Sequence, residues 1–310
     1  MTVSIADVEA AAERIVGHVH RTPVLTSATL DRELGASIFW KCENMQKVGA
    51  FKARGATNAV FSLTDEECAR GVITHSSGNH GAAVAYAAAK RGAPCTVVMP
   101  ERGSPIKAAA VEGYGAKIER CAEGHRQAAT DAIIASTGAT FIHPFNDTRV
   151  IAGQGTAALE LLEDVPDLDA VIAPVGGGGL LSGTTVTFAA KRPEAKIFGA
   201  EPEAVDDAYR SLRDGTRHPS VPNPTTICDG LLTGLGANTF AILSSHGVEI
   251  VCVADTAVIA ACRFYLERMK MLVEPSGATP LAALRALGDR IHGLRIGAIV
   301  TGGNTDLAWL

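Results

Sequence analysis

Ala170-Val-Ile-Ala-Pro-Val175 is followed directly by Gly176-Gly-Gly-Gly179 and then by Leu180-Leu-Ser-Gly183. The first segment reads as a buried strand and the last as the opening of a helix, so the glycines form the turn between them. Such a turn exposes successive backbone N–H groups, and the helix start adds partial positive charge, a pairing that suits phosphate. A plain turn would not need four consecutive glycines, each of which costs backbone entropy on folding.

The same strand-then-helix rhythm extends in both directions. Strand-like runs cover Ser37–Glu43, Val72–His75, Cys95–Met99, Lys117–Cys121, Thr140–His143, Lys196–Ala200, Glu249–Val253 and Ile296–Thr301. Alanine-rich helical stretches cover Gly81–Lys90, Ile106–Glu112, Arg126–Ser136 and Thr156–Glu163, and a first helix, Ile5 to Gly17, starts behind Ser4 as its cap. This alternation predicts an α/β fold with parallel-rich sheets and helices on both faces. At 310 residues the chain has room for two domains. The expected division is a smaller domain at 71–147 inserted into a larger one made of 1–70 and 148–310.

Bulk properties narrow the function classes. With 28 basic against 33 acidic residues and no basic patch, a nucleic-acid partner is not expected. No apolar run approaches the roughly 20 residues of a membrane span. The stretch Met1 to Val16 carries Asp7, Glu9 and Glu13 and does not read as a signal peptide. Seven scattered cysteines without a CxxC pair argue for reduced thiols and a cytoplasmic setting.

Three segments carry chemistry. The glycine turn lacks the Gly-Lys-Ser/Thr of a nucleotide P-loop. It matches a dinucleotide fingerprint only in part: Gly177-x-Gly179 is present, but Ser182 stands where the third glycine belongs, and Glu201 sits where a ribose-binding acid would. A nicotinamide-dependent oxidoreductase therefore stays open at this point. Ser76-Ser-Gly-Asn-His80-Gly81 closes one strand and opens a helix, collecting polar donors suited to a carboxylate, although one serine alone would cap that helix. Lys52 begins another helix in an apolar setting of Val48, Ala50 and Phe51. Desolvation there favours the neutral amine needed for a Schiff base, whereas a lone lysine at a helix start also reads as surface charge.

In this order and spacing the three segments resemble the fold-type II pyridoxal-phosphate enzymes, in the group of serine/threonine dehydratases, serine racemases and threo-3-hydroxyaspartate dehydratases. The resemblance runs from His20-Arg-Thr-Pro-Val-Leu25 through Glu43-Asn-Met-Gln-Lys47, Ile151-Ala-Gly-Gln-Gly-Thr156 and Glu274-Pro-Ser-Gly277 to Thr301-Gly-Gly-Asn304. It implies a two-domain fold like that of the tryptophan synthase β chain, a homodimer, and pyridoxal 5′-phosphate held by the larger domain while 71–147 grips a small amino-acid substrate.

The resemblance also implies roles. Lys52 would bond the cofactor covalently and remove the Cα proton. Phe51, Asn79, Gly176, Gly177, Gly178, Gly179 and Thr301 would line the cofactor, with the glycines on its phosphate, Asn79 on its 3′-oxygen and Thr301 against its ring nitrogen. Ser76, Ser77, Gly78, Asn79 and His80 would hold the substrate carboxylate, and Ser77 would be a second proton donor opposite Lys52. Arg126 would meet a distal carboxylate, which makes hydroxyaspartate attractive, and Thr233 would border the substrate. Glu201, the Val205 carbonyl and Asp207 would bind a divalent cation, and oxygen ligands of this kind suit Mg²⁺, Mn²⁺ or Ca²⁺.

A neutral hydroxyl at Thr301 cannot keep the ring nitrogen protonated as a carboxylate does, which favours elimination over a long-lived carbanion. The implied reaction is loss of water, then ammonia, from serine, threonine or threo-3-hydroxyaspartate. The alternatives are a serine or aspartate racemase with dehydratase side activity and a homologue without turnover. Two departures stand out: Ala82 replaces a glutamine of the animal racemases, which bears on nucleotide activation, and Phe145 replaces their asparagine, as in bacterial dehydratases.

Overall fold

The computed structural model describes residues 3–76, 78–101 and 105–310, with backbone only for 105–107. Ten strands are present among them: β1 (Val24–Leu25), β2 (Ser37–Cys42), β3 (Val72–His75), β4 (Cys95–Pro100), β5 (Lys117–Cys121), β6 (Thr140–Phe141), β7 (Ala170–Pro174), β8 (Lys196–Pro202), β9 (Glu249–Val253) and β10 (Arg295–Val300). They form a six-stranded sheet in the order β1-β2-β10-β7-β8-β9 and a four-stranded sheet in the order β5-β4-β3-β6. Every pairing is parallel except β1 with β2.

The centre of the large sheet explains its apolar sequence. β10 lies between β2 and β7, with Ala298 opposite both Trp40 and Ile172. Along β7 every residue is buried. Ile172 faces a core built with helices Asp255–Phe264 and Pro275–Leu287, whereas Val171 and Ala173 face one built with Thr148–Asp164 and Gly179–Lys191. A strand covered on both faces has no solvent side to alternate toward, and so reads as a continuous apolar run.

Ser4 caps helix Ile5–Ile15 as expected, its hydroxyl accepting from Asp7 N–H while the Asp7 carboxylate accepts from Ser4 N–H at 2.8 Å. Helix Thr148–Asp164 begins eight residues before the expected Thr156. Its early glycines permit close helix contact: a Cβ on Gly153 would stand 2.7 Å from Gly55 Cα, and one on Gly155 would stand 2.9 Å from the Gly183 carbonyl. This helix therefore seats both the Lys52 helix (Lys52–Phe61) and the helix behind the glycine turn.

All strands but β1 run the same way within their sheets, so the C-terminal ends of each sheet gather on one edge. Loops leaving β2, β7 and β10 of one sheet, and β3 and β6 of the other, carry the residues of interest. Open parallel sheets bind ligands at such edges.

Candidate active site

Lys52 is reached from β2 by a loop in which Val48 (φ 55°) and Gly49 (φ 68°) are both left-handed. For a β-branched residue this conformation is strained. The loop is fastened to the end of β10: Phe51 N–H donates to the Thr301 carbonyl at 2.9 Å, Gly303 N–H donates to the Gly49 carbonyl at 3.0 Å, and Ala50 bridges Gly302. Lys52 is half-buried, and its Nζ donates to the Pro144 carbonyl at 3.0 Å and lies 5.0 Å from the Phe51 ring centre. Burial pushes its amine down to about 8, against the Glu274 carboxylate, which pulls it back up. A lysine so placed gives up its proton far more readily than one in water.

At the glycine turn, Gly178 is left-handed with φ 86°. A Cβ on Gly177 would run into the Phe145 ring, and one on Gly176 would come within 2.9 Å of Leu231 Cα. Helix Gly179–Lys191 starts with no side-chain cap, so its first-turn N–H groups belong to the cradle. A concavity too narrow for any side chain, edged by free N–H groups, fits a phosphate. Phe145, packed on this turn, directly follows Pro144, whose carbonyl holds Lys52. Two consecutive residues thus join the amine to the cradle.

From the small sheet, Ser76 Oγ accepts from Gly78 N–H at 3.1 Å, and helix Asn79–Arg91 follows. Asn79 Nδ2 donates to both oxygens of the buried Glu274, at 3.0 and 3.2 Å, while its Oδ1 accepts from Asn304 Nδ2 at 3.0 Å. His80 is buried with Nε2 3.0 Å from the Ile142 carbonyl. A carbonyl only accepts, so Nε2 carries the proton. Burial, and then the Lys52 charge, hold this imidazole neutral, and its Nδ1 has no hydrogen-bond partner. His143 Nδ1 accepts from Phe145 N–H and Asn146 N–H, and burial pushes that ring down to about 4. Thr301 is buried at the end of β10.

The structure thus gathers Lys52, Phe51, Thr301, Asn79 and the four glycines through direct contacts or shared neighbours. Ser77 lies outside the described residues. Arg126 is exposed at the first position of helix Arg126–Thr137, and its charge reaches His75 at the end of β3. Thr233 is exposed, between Leu231, which touches Gly176, and Leu235, which a Cβ on Gly178 would meet at 2.7 Å. A cleft of about 720 Å³ opens beside Gly78, Asn79 and Asn304, with Tyr114 and Trp309 on its walls. Sequence reasoning missed the hydrogen bond from Asn79 to Glu274 and the support from Pro144 and Phe145, whose partners are remote along the chain.

The acidic set lies at the end of β8. Glu201 is buried and accepts from Ala208 N–H and Tyr209 N–H, both at 2.8 Å. Asp207 is buried with an Oδ2 that has no hydrogen-bond partner, and a Cβ on Gly234 would stand 2.9 Å from it. Burial pushes Glu201 up to about 8 and Asp207 up to about 6. An orphaned buried carboxylate oxygen beside a second buried carboxylate fits a hard cation. No cluster of three or more ligating His, Cys, Asp or Glu side chains occurs among the described residues, so backbone carbonyls or water would have to complete any such set.

Comparison with known proteins agrees with this geometry. A serine racemase of Dictyostelium discoideum is 46% identical over 99% of this chain and 96% of its own length. A beta-hydroxyaspartate dehydratase of Paracoccus denitrificans is 47% identical over 97% of this chain and 96% of its own. The crystal structure of the Dictyostelium racemase superposes with a TM-score of 0.95, covering 99% of this chain and all of that one (100%), at 45% identity. The family model described as pyridoxal-phosphate dependent enzyme matches residues 15–302. With this match over most of the chain, and a half-buried lysine joined to a bare glycine turn at one sheet edge, the chain belongs to the pyridoxal-phosphate-dependent enzymes of fold type II.

Proposed function

We propose that this enzyme eliminates water, and then ammonia, from a small β-hydroxy amino acid, with threo-3-hydroxyaspartate, serine and threonine as the candidate substrates. The observation that carries the reading is the Lys52 amine, pushed down to about 8 and held by the carbonyl next to the residue that packs on the glycine turn. When bound, pyridoxal phosphate supplies the electron sink that makes an amino acid's Cα proton removable.

The chain supplies the rest. Gly176, Gly177, Gly178 and Gly179 would hold the cofactor phosphate, Phe51 and Asn79 would line its ring, and Thr301 would offer its hydroxyl to the ring nitrogen. Lys52 would hold the cofactor covalently, and its amine is the group that would take the Cα proton. Ser76, Ser77, Gly78, Asn79 and His80 would receive the substrate carboxylate, His80 through its backbone N–H, because its ring spends the Nε2 proton on the Ile142 carbonyl. Arg126 and Thr233 stand at the exposed margin, where Arg126 offers a guanidinium to a second carboxylate. The sheet membership of β3 to β6 supports a substrate-gripping domain at 71–147 inserted into a cofactor-binding domain of 1–70 and 148–310. Glu201, the Val205 carbonyl and Asp207 bind Mg²⁺, Mn²⁺ or Ca²⁺ in a structural role, which the orphaned Asp207 oxygen supports. A second reading, serine or aspartate racemisation, draws on the 46% identity to a serine racemase.

A panel of L- and D-serine, threonine and threo-3-hydroxyaspartate, scored for ammonia release and for chirality, tests both readings. Ammonia from at least one hydroxy amino acid is expected. Inversion without ammonia would replace the dehydratase by the racemase. Borohydride reduction is expected to fix the cofactor on Lys52, and Lys52→Ala to abolish both the visible band and turnover; a label on another lysine would refute the site.

A further inference from the structure

We infer that Arg54 and Glu43 form a buried clamp that positions Lys52, and that the amine loses its setting when the clamp opens even if the fold survives. The inference rests on Lys52 being the cofactor-bonding amine. Arg54 lies two residues beyond Lys52 on the same helix, and its side chain is fully buried. Its Nε and Nη2 donate to the two oxygens of Glu43, both at 2.8 Å. Glu43 is itself fully buried and follows the last residue of β2. The pair therefore closes the segment that runs from the sheet, through the left-handed Val48 and Gly49, to Lys52.

The clamp is fixed from behind. Arg54 Nη1 and Nη2 donate to Glu160 at 2.7 and 2.8 Å, and Glu160 also accepts from Lys41 at 2.6 Å. Thr22 Oγ1 donates to Glu43 at 2.6 Å. Lys41 belongs to β2 and Glu160 to helix Thr148–Asp164, so the clamp ties the lysine helix to the sheet and to the helix that seats it. A strained residue such as Val48 persists only where its surroundings over-determine it. Here the fixed points are the clamp at both ends of the segment and the bonds to β10 in the middle.

A bidentate guanidinium–carboxylate pair sets orientation as well as distance, and a lysine cannot reproduce it. Arg54→Lys keeps the charge and loses the fork. Glu43→Gln keeps the volume and loses the charge. Neither residue shares a hydrogen bond or ion pair with Lys52 among the described residues, so both act as positioning residues.

The test uses the holoenzyme and a readout other than turnover, the rate at which hydroxylamine strips the cofactor's visible band. Borohydride labelling of the unaltered enzyme is done first. In Arg54→Lys or Glu43→Gln the band is expected to vanish about tenfold faster, because an amine that has lost its setting holds the cofactor less firmly; tenfold corresponds to about 1.4 kcal/mol. Val258→Ala, a cavity in the core around helix Asp255–Phe264, controls for lost stability and is expected to strip at the unaltered rate. Stripping at the unaltered rate in the clamp variants, or equal acceleration in Val258→Ala, overturns the clamp alone. A label away from Lys52 overturns the clamp together with the site. If Arg54→Lys does not fold, Glu43→Gln carries the same test.

Discussion

Two buried carboxylate clusters sit in this enzyme, and they are neutralised in opposite ways. Around Arg54, the carboxylates of Glu43 and Glu160 meet the cations of Arg54 and Lys41 at 2.6 to 2.8 Å. At the end of β8, Glu201 and Asp207 are as deeply buried, yet neither enters an ion pair among the described residues. The nearby Arg210 is occupied by Asp206 at 2.8 Å. The first cluster is complete within the chain, whereas in the second burial pushes both carboxyl groups toward their neutral forms. Equal burial therefore has different consequences. One cluster is paired by cations of the chain, and the other pairs with a cation only if the proposed ion binds there.

The largest expected effect breaks the first cluster. Arg54→Met leaves the fully buried Glu43 without its cation and the part-buried Glu160 with Lys41 alone, and removing one partner of such a network costs about 3–5 kcal/mol. Urea unfolding of the holoenzyme measures it. A loss below about 1 kcal/mol would mean that the buried charges are already solvated, and the contrast with the second cluster would disappear.

The next effect belongs to the second cluster. Mg²⁺, Mn²⁺ or Ca²⁺ at about a hundred times its dissociation constant should stabilise the fold by about 2.7 kcal/mol. Thermal unfolding with chelator against added cation reads this directly. Asp207→Asn should remove most of the cation's effect while leaving the unfolding midpoint in chelator close to that of the parent. An equal response to cation in the variant, or none in the parent with any of the three ions, would remove the external ion from the comparison. The segment Leu231 to Leu235 touches Gly176 and Gly178, and its Gly234 abuts Asp207. Cation loss is therefore expected to weaken cofactor retention as well.

The contrast between the clusters also marks what could be read from the sequence. The glycine turn and the apolar setting of Lys52 were legible because each is local: one run of residues carries the whole signal. The strands were legible for the same reason, within a residue or two at most ends. Helix Thr148–Asp164 was read eight residues short because Gly153 and Gly155 look like breakers. Only the fold reveals that Gly55 and Gly183 approach them. Nothing along the chain announces that Lys41, Glu43 and Glu160 share one ion-pair network with Arg54, in which Lys41 and Glu160 meet across 119 positions. Lys52 and the Pro144 carbonyl are likewise 92 residues apart. Pairing across such separations follows from sheet order, and sheet order is not written in any local pattern.

The smallest expected effect lies one turn beyond Glu160, at the end of helix Thr148–Asp164. Arg21 reaches Glu163 and Asp164, both at 2.6 Å, closer than Arg54 stands to Glu43. If separation governed energy, this pair would rank with the clamp. The side chains of Arg21 and Glu163 are half exposed, at 51% and 52%, and water already solvates both charges. Holding two long side chains in one geometry then offsets most of the attraction, and such exposed pairs contribute about 0–1 kcal/mol. Arg21→Ala should therefore lower stability by less than about 1 kcal/mol, and about 1 M salt should erase the difference because screening there acts within about 3 Å. Urea unfolding of Arg21→Ala and Arg54→Met side by side, at low and high salt, checks the ranking. A loss at Arg21 as large as that at Arg54 would show that contact distance, rather than burial, sets the strength of charge pairing in this enzyme.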